Sequence, residues 1–371
     1  MKYPALTSGV GPTITCSGRQ YLYFAGNDYL GLSNNSDVSA AVCETIKRYG
    51  TGFSASRNTT GTSDLHLELE QRLASFKGTD DAAVFASGYM GNRLLLEALR
   101  SDYTAVFADA MAHPSVTDAI PRDIQKVFRY EHCNAGHLEE LLESHHDERP
   151  LVITDGIFAL TGEIAPLDRI YAISVRHNAT LIVDDAHSTG LLGVNGRGTP
   201  EHFGLDGEPG IYQSETMSKA LGSYGGFIAG NLRLTGEIRK GSPFFAASTA
   251  LPPPVVAAGI ASLSIIVANQ GLRVRALRNA AELRSGVKES GFDTTDTIAP
   301  VIPVFFNTPV EAAALSGFLY ENGIIAPAVS YPVKTGKYIV RITVSAVHTA
   351  AHIETLTGKL RKYKNNERHK D

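Results

Sequence analysis

Leu181-Ile-Val-Asp-Asp-Ala-His-Ser-Thr-Gly190 opens as an uninterrupted apolar run and closes on two acids, a histidine and small residues. A short apolar run that stops abruptly at polar residues is expected of a strand buried on both faces of a sheet. Similar runs recur at 82–87, 105–109, 151–155, 211–216 and 226–229. Helical patterns lie between them. In 64–77, Leu65, Leu69, Leu73 and Phe76 share one helical face and Gly78 marks the stop. Alternation of buried strands with amphipathic helices predicts an α/β fold with a mostly parallel central sheet and helices on both sides. After about residue 265 the pattern changes to a long helix, alternating strands at 301–307 and 338–345, and a closing helix capped by Thr349. The predicted organisation is an N-terminal segment (1–35) packing with a small C-terminal α+β domain (265–371), and a large domain (36–264).

In open α/β sheets, ligands bind at the carboxyl ends of the strands. The reactive side chains collect there: Ser87-Gly88, Asp109, Asp155, Asp184 to His187 and Thr216 to Lys219. In Glu215-Thr-Met-Ser-Lys-Ala-Leu-Gly222, a lysine follows two hydroxyls at a strand end. A lysine so placed, with an aspartate ending a strand upstream, meets the needs of a pyridoxal 5'-phosphate (PLP) enzyme. The lysine forms a Schiff base with the cofactor and the carboxylate pairs with its pyridinium nitrogen. Adjacent residues of a strand point to opposite sides, so only one of Asp184 and Asp185 faces the pocket, and Asp184 is the expected one. His187 is placed to bond the phenolic oxygen and His113 to stack on the ring. Ser87, Gly88 and Tyr89 open a helix whose N–H groups suit a phosphate, and Thr216 and Ser218 offer hydroxyls to it. Arg341 is a charge inside an apolar strand and requires a carboxylate partner, from the protein or from a substrate.

Composition narrows the alternatives. The 371 residues are 43% hydrophobic and 19% charged, with a net charge of -4, so neither a nucleic-acid nor an anionic-membrane surface is expected. The basic tail from Lys359 to Lys370 reads as a solvated terminus. No signal peptide is expected at the N-terminus, and the apolar stretch 255–268 reads as a buried helix rather than a membrane span. Three dispersed cysteines, Cys16, Cys43 and Cys133, imply neither a disulfide framework nor a metal knot, and fit a cytoplasmic protein.

Further motifs carry a resemblance over nearly the whole chain. They are Asn27-Asp-Tyr-Leu-Gly-Leu-Ser33, Ser56-Arg-Asn-Thr-Thr-Gly-Thr62 with His66, Val183 to Gly190, Gly196-Arg-Gly198 and Arg341 to His348. In that order they resemble the α-oxoamine synthases, a branch of the fold-type I PLP enzymes. Members include amino-oxononanoate synthase, aminoketobutyrate coenzyme A ligase, aminolevulinate synthase and serine palmitoyltransferase, and the first two are the most similar. The resemblance implies that Lys219 carries the cofactor and acts as acid and base. It also implies that Arg341 with Asn27 holds the amino-acid carboxylate. Ser248-Thr249 would reach the phosphate of a partner subunit, making a homodimer with shared active sites. The implied reaction is decarboxylative condensation of a small amino acid (alanine, glycine or serine) with an acyl thioester on coenzyme A or a carrier protein.

Three departures from the family pattern stand out. Ala159 occupies the place of the usual cofactor-side serine, with Thr161 as a candidate replacement, and Asp155 stands for the commoner glutamate. The stretch 326–332 lacks the usual arginine and Pro-Thr-Val-Pro run. The basic pair that often precedes the first strand is missing. Two other readings keep the fold: an aminotransferase or carbon–carbon lyase, and a non-catalytic partner subunit, against which the presence of Lys219 argues.

Overall fold

The computed structural model describes residues 3, 5–329 and 336–368, with side chains described to residue 366. The chain divides into two compact units. One comprises residues 35–158 and 164–269, the other residues 1–34, 159–163 and 270–371. The excursion at 159–163, where five residues leave the larger unit's stretch for the smaller one, has no signature in the sequence pattern.

The larger unit is built on a seven-stranded sheet. Its strands lie in the order Asp81–Phe85, Gly226–Gly230, Ile211–Thr216, Thr180–Asp184, Pro150–Asp155, Ala105–Asp109 and Lys126–Tyr130. All neighbours run parallel except Gly226–Gly230, which is antiparallel to both of its partners. Pro150–Asp155 and Ala105–Asp109 are buried at every position, as continuous apolar runs require. Residue parity then assigns the faces. Val106, Leu151, Ile153 and Ile182 pack in one cluster with Leu94 and Leu95, from the helix Gly91–Ala98. Phe107, Val152, Leu181 and Val183 pack in another with Leu138, Leu142, Ile170 and Ile173, from the helices Ala135–Ser144 and Leu167–Arg176. Each strand therefore feeds two cores, and the helices cover both faces. The expected helix over 64–77 forms as Asp64–Lys77, stopped by Gly78 at φ 71°. Lys126–Tyr130 has exposed and half-buried positions. It is an edge strand without an apolar run, which is why its sequence does not announce it.

In the smaller unit, Thr13–Cys16 and Arg19–Tyr23 form a hairpin across Ser17 and Gly18, both at positive φ (48° and 75°), as a two-residue hairpin turn demands. A second sheet places Tyr338–Thr343 between Val301–Phe306 and Ala328–Val329, all antiparallel. The core joins Leu283, Val287, Leu315, Leu319, Ile342 and Leu356. The closing helix begins at Ala350, and the Thr349 hydroxyl accepts the His352 N–H at 3.3 Å. No single helix among the described residues is long and apolar enough to cross a membrane. The stretch 326–332, singled out as a departure, lies in part outside the described residues.

Candidate active site

In the larger unit, Ser87, Gly88, Tyr89, His113, Asp155, Asp184, His187, Thr216, Ser218 and Lys219 line one pocket, together with Ser115 and Ala186. Each comes from the carboxyl end of a sheet strand or the turn after it. The pocket therefore gathers every expected cofactor contact of this unit except Thr249.

Asp184 shares its parity with Ile182, so it faces the helix Gly91–Ala98. There its Oδ2 accepts from Asn92 Nδ2 at 2.7 Å and from Ser115 Oγ at 3.3 Å. Its Oδ1 accepts the Ala186 N–H at 3.2 Å. Asp185 turns the other way and is fully buried. It accepts from Thr199 N (2.9 Å), Thr199 Oγ1 (2.5 Å) and Gln213 Nε2 (2.7 Å). One acid is thus left to the pocket and its neighbour tethers a loop. Asn92 and Ser115 are site residues that the sequence reading missed. The available signal was a fully buried asparagine in a leucine-rich helix, since buried amides are held by specific partners.

Asp155 lies one strand over. Burial, and then the charge of Asp184, push its carboxyl well above the usual carboxylate range, although it accepts the His113 N–H at 3.2 Å. The His113 ring is pinned by its Nδ1, which accepts the Ser115 N–H at 3.2 Å and lies 2.8 Å from Ser115 Oγ. Burial lowers its pKa, and the Lys219 charge works in the same direction. A flat, neutral imidazole results.

The opposite end of the pocket is made for an anion. The Ser87 hydroxyl accepts the Tyr89 N–H, and the turn Gly88–Met90 leads directly into Gly91–Ala98, so the positive end of a helix start adjoins the pocket. A Cβ on Gly88 would lie 2.5 Å from Thr216 Oγ1, so only glycine lets this backbone approach. Thr216 Oγ1 and Ser218 Oγ are 2.8 Å apart. A carboxylate at one end, hydroxyls and helix N–H groups at the other, and a lysine fit a group bearing both a basic ring nitrogen and a phosphate.

A profile of the aminotransferase class I and II family matches residues 19–360. The chain belongs to that family. Within it, an 8-amino-7-oxononanoate synthase of Lysinibacillus sphaericus is 35% identical, over 97% of this chain and 93% of that protein. The enzyme of the same name from Geobacter sulfurreducens is 36% identical, over 93% of this chain and 89% of its own length. Among solved structures, a serine palmitoyltransferase variant from S. paucimobilis with a bound PLP–myriocin aldimine superposes with a TM-score of 0.91. It shares 30% identity, covering 99% of this chain and 91% of that one. An 8-amino-7-oxononanoate synthase from Francisella tularensis gives 0.80 at 26% identity, covering 94% and 98%. The fold is thus the fold-type I transferase fold, PLP is the cofactor, and this member of the class I and II family is an α-oxoamine synthase.

In this family member the smaller unit contributes a separate cluster. Arg341 Nε donates to the Ala159 carbonyl at 2.6 Å and Arg341 Nη2 to Asn27 Oδ1 at 2.9 Å. Of the two partners expected for Arg341, a protein carboxylate or a substrate carboxylate, the first is not found among the described residues. Its acceptors there are neutral, because a backbone carbonyl and an amide share the work. Ala159, notable in the sequence for its missing hydroxyl, acts here through its main chain. The Thr161 hydroxyl accepts the Glu163 N–H at 3.4 Å and does not line the Lys219 pocket. Thr249 does not line that pocket either. It is exposed, in an isolated bridge with Ser56.

Proposed function

We propose that this chain condenses a small amino acid with an acyl thioester, releasing carbon dioxide and free thiol and leaving an α-amino ketone. It is a PLP-dependent acyltransferase of the α-oxoamine synthase type. The observation that carries the residue roles is the convergence of Lys219, Asp184, His187 and His113 on one pocket whose far end offers Thr216, Ser218 and the Gly88 turn.

Bound PLP supplies an electron sink for negative charge at the substrate Cα. The chain's own groups do the rest. Lys219 would hold the cofactor through Nζ, and the same amine, once released by the incoming amino acid, would move a proton from and back to the substrate Cα. Asp184, steadied by Asn92 and Ser115, keeps a proton on the ring nitrogen. Burial and the charge of Asp184 raise the pKa of Asp155, which disfavours a second carboxylate charge beside Asp184. His187 would bond the phenolic oxygen, and His113 would cover the ring. Ser87, Gly88, Tyr89, Thr216 and Ser218 hold the phosphate. Arg341 and Asn27 bind the amino-acid carboxylate. The lack of a protein carboxylate on Arg341 among the described residues supports this, since a partly buried guanidinium seeks an anion.

The working enzyme is a homodimer in which Thr249 reaches the phosphate of the partner. Its exposure and its absence from its own pocket support that reading. It acts in the cytoplasm, in keeping with cysteines that form no disulfide among the described residues.

An absorbance titration with glycine, alanine and serine, followed by a panel of acyl thioesters, tests the assignment. One amino acid should shift the cofactor's visible band, and one thioester should then release thiol. Conversion of bound PLP to its amine form without thiol release would replace this reading with amino-group transfer.

A further inference from the structure

The turn 27–31, which supplies Asn27 to Arg341 within the smaller unit, is anchored from several sides. The Asp28 carboxylate accepts the Leu32 N–H at 2.9 Å and the Ser33 hydroxyl. The Tyr29 carbonyl accepts the Ala346 N–H at 2.8 Å, just past the strand Tyr338–Thr343 that carries Arg341. Gly31, at φ 72°, lets the turn close on Val347, where a Cβ would lie 2.4 Å from Cγ1. Tyr29 itself is 1% exposed. Its hydroxyl is therefore held in one place, and that place is beside Asn27 and Arg341.

Two donors converge on Asn27 Oδ1: the Tyr29 hydroxyl at 3.2 Å and Arg341 Nη2 at 2.9 Å. Arg341 also reaches the Tyr29 hydroxyl. Burial raises the pKa of that phenol, and the charge and hydrogen bond of the guanidinium pull the other way. A guanidinium only donates, so the phenol oxygen accepts from Arg341 and the phenol proton goes to Asn27. With Oδ1 taken by two donors, the NH2 group of Asn27 is committed to the other side of its amide. We propose that Tyr29 is a positioning residue for the amino-acid carboxylate: its hydroxyl fixes the Asn27 amide and the Arg341 guanidinium in an arrangement in which both offer N–H groups to that anion. The inference rests on the reading of Arg341 and Asn27 as the carboxylate site.

The physical reason lies in the last torsion of asparagine, which is broad and has two nearly equivalent orientations. Without the phenol, Arg341 alone orients the amide, and that contact weakens when the guanidinium turns to the substrate. A flipped Asn27 then meets the incoming carboxylate with its oxygen, which repels it. The effect is confined to ligands that carry the anion. An amine without a carboxylate makes no use of Asn27 or Arg341, whichever way the amide turns.

The test titrates parent and Tyr29→Phe holoenzyme with L-alanine, glycine and L-serine, and with ethylamine, methylamine and ethanolamine, the same three without their carboxylate. The shift of the visible cofactor band reads each dissociation constant. For the amino acid that the parent binds, Tyr29→Phe should raise the constant about 3- to 10-fold, the size of one lost hydrogen bond. The constant for the matching amine, the PLP affinity and the melting temperature should stay put. An equal rise for amino acid and amine, or no rise for either, overturns the proposal. Arg341→Ala, measured alongside, separates two failures. If it loses amino-acid affinity and Tyr29→Phe does not, the carboxylate site stands and the role of Tyr29 falls; if neither variant responds, both fall. Should Tyr29→Phe fail to fold, Asn27→Ala decides, because Tyr29 acts through that amide: a ratio of amino-acid to amine affinity equal to the parent's overturns the proposal.

Discussion

The two units handle charge in opposite ways. In the larger one, ionisable groups sit at strand ends, where the sheet stops and turns supply partners. Asp184 has Asn92, Ser115 and the Ala186 N–H, and Asp185 has Thr199 and Gln213. In the smaller one, Arg341 rises from the middle of a strand between buried Val340 and Ile342, with neutral acceptors among the described residues. The first arrangement is satisfied within the larger unit. The second leaves a guanidinium without a carboxylate among the described residues. The two therefore leave different traces, the one a cluster of paired carboxylates and the other a cation on neutral acceptors.

Substitutions in the two units should separate these roles. The largest loss is expected for Lys219→Ala. Removing the acid–base group alone removes about 10²–10⁴ in rate, and the parent's visible Schiff-base band should be missing before any amino acid is added; turnover within tenfold of the parent would break the assignment. Arg341→Ala should weaken amino-acid binding by about 2–5 kcal/mol, measured by titration, while PLP affinity stays put. An unchanged amino-acid dissociation constant would make Arg341 structural.

The paired aspartates offer a comparison inside the larger unit. Asp185→Ala strands the buried Thr199 N–H and removes the hydrogen bonds of Thr199 Oγ1 and Gln213 Nε2, and should lower unfolding free energy by about 1–3 kcal/mol. Asp184→Asn should leave the melting temperature nearly unchanged and cost activity instead. Interchanged phenotypes would reverse the two faces.

A smaller, pH-linked effect belongs to the smaller unit. His348 is buried, with Nε2 on the Tyr23 carbonyl, and burial lowers its pKa to about 4. Above the ordinary value near 6.5 the imidazole is neutral in both folded and unfolded chains, so its contribution is fully present. As pH falls from about 6.5 to 4, only the unfolded chain takes the proton, and stability drops by on the order of 3 kcal/mol. Urea unfolding across that range should show the slope in the parent and lack it in His348→Asn.

Much of this was written in the one-dimensional pattern. Apolar runs ending in Asp155, Asp184 and Thr216 disclosed both the strands and the pocket, because a strand buried on both faces admits polar residues only where it ends. The motif around Lys219 disclosed the cofactor, because Schiff-base chemistry needs that residue type. Tertiary structure alone decided the rest. Asn92 and Ser115 became partners of Asp184 only when a helix start and a distant turn met the same strand end. Ala159 took its part through a carbonyl, which every residue has and no sequence can flag. Asp109 meets His132 and the Cys133 N–H because two parallel strands, Ala105–Asp109 and Lys126–Tyr130, end side by side. Sequence names which groups can react; hydrogen bonds made across long separations determine which of them do.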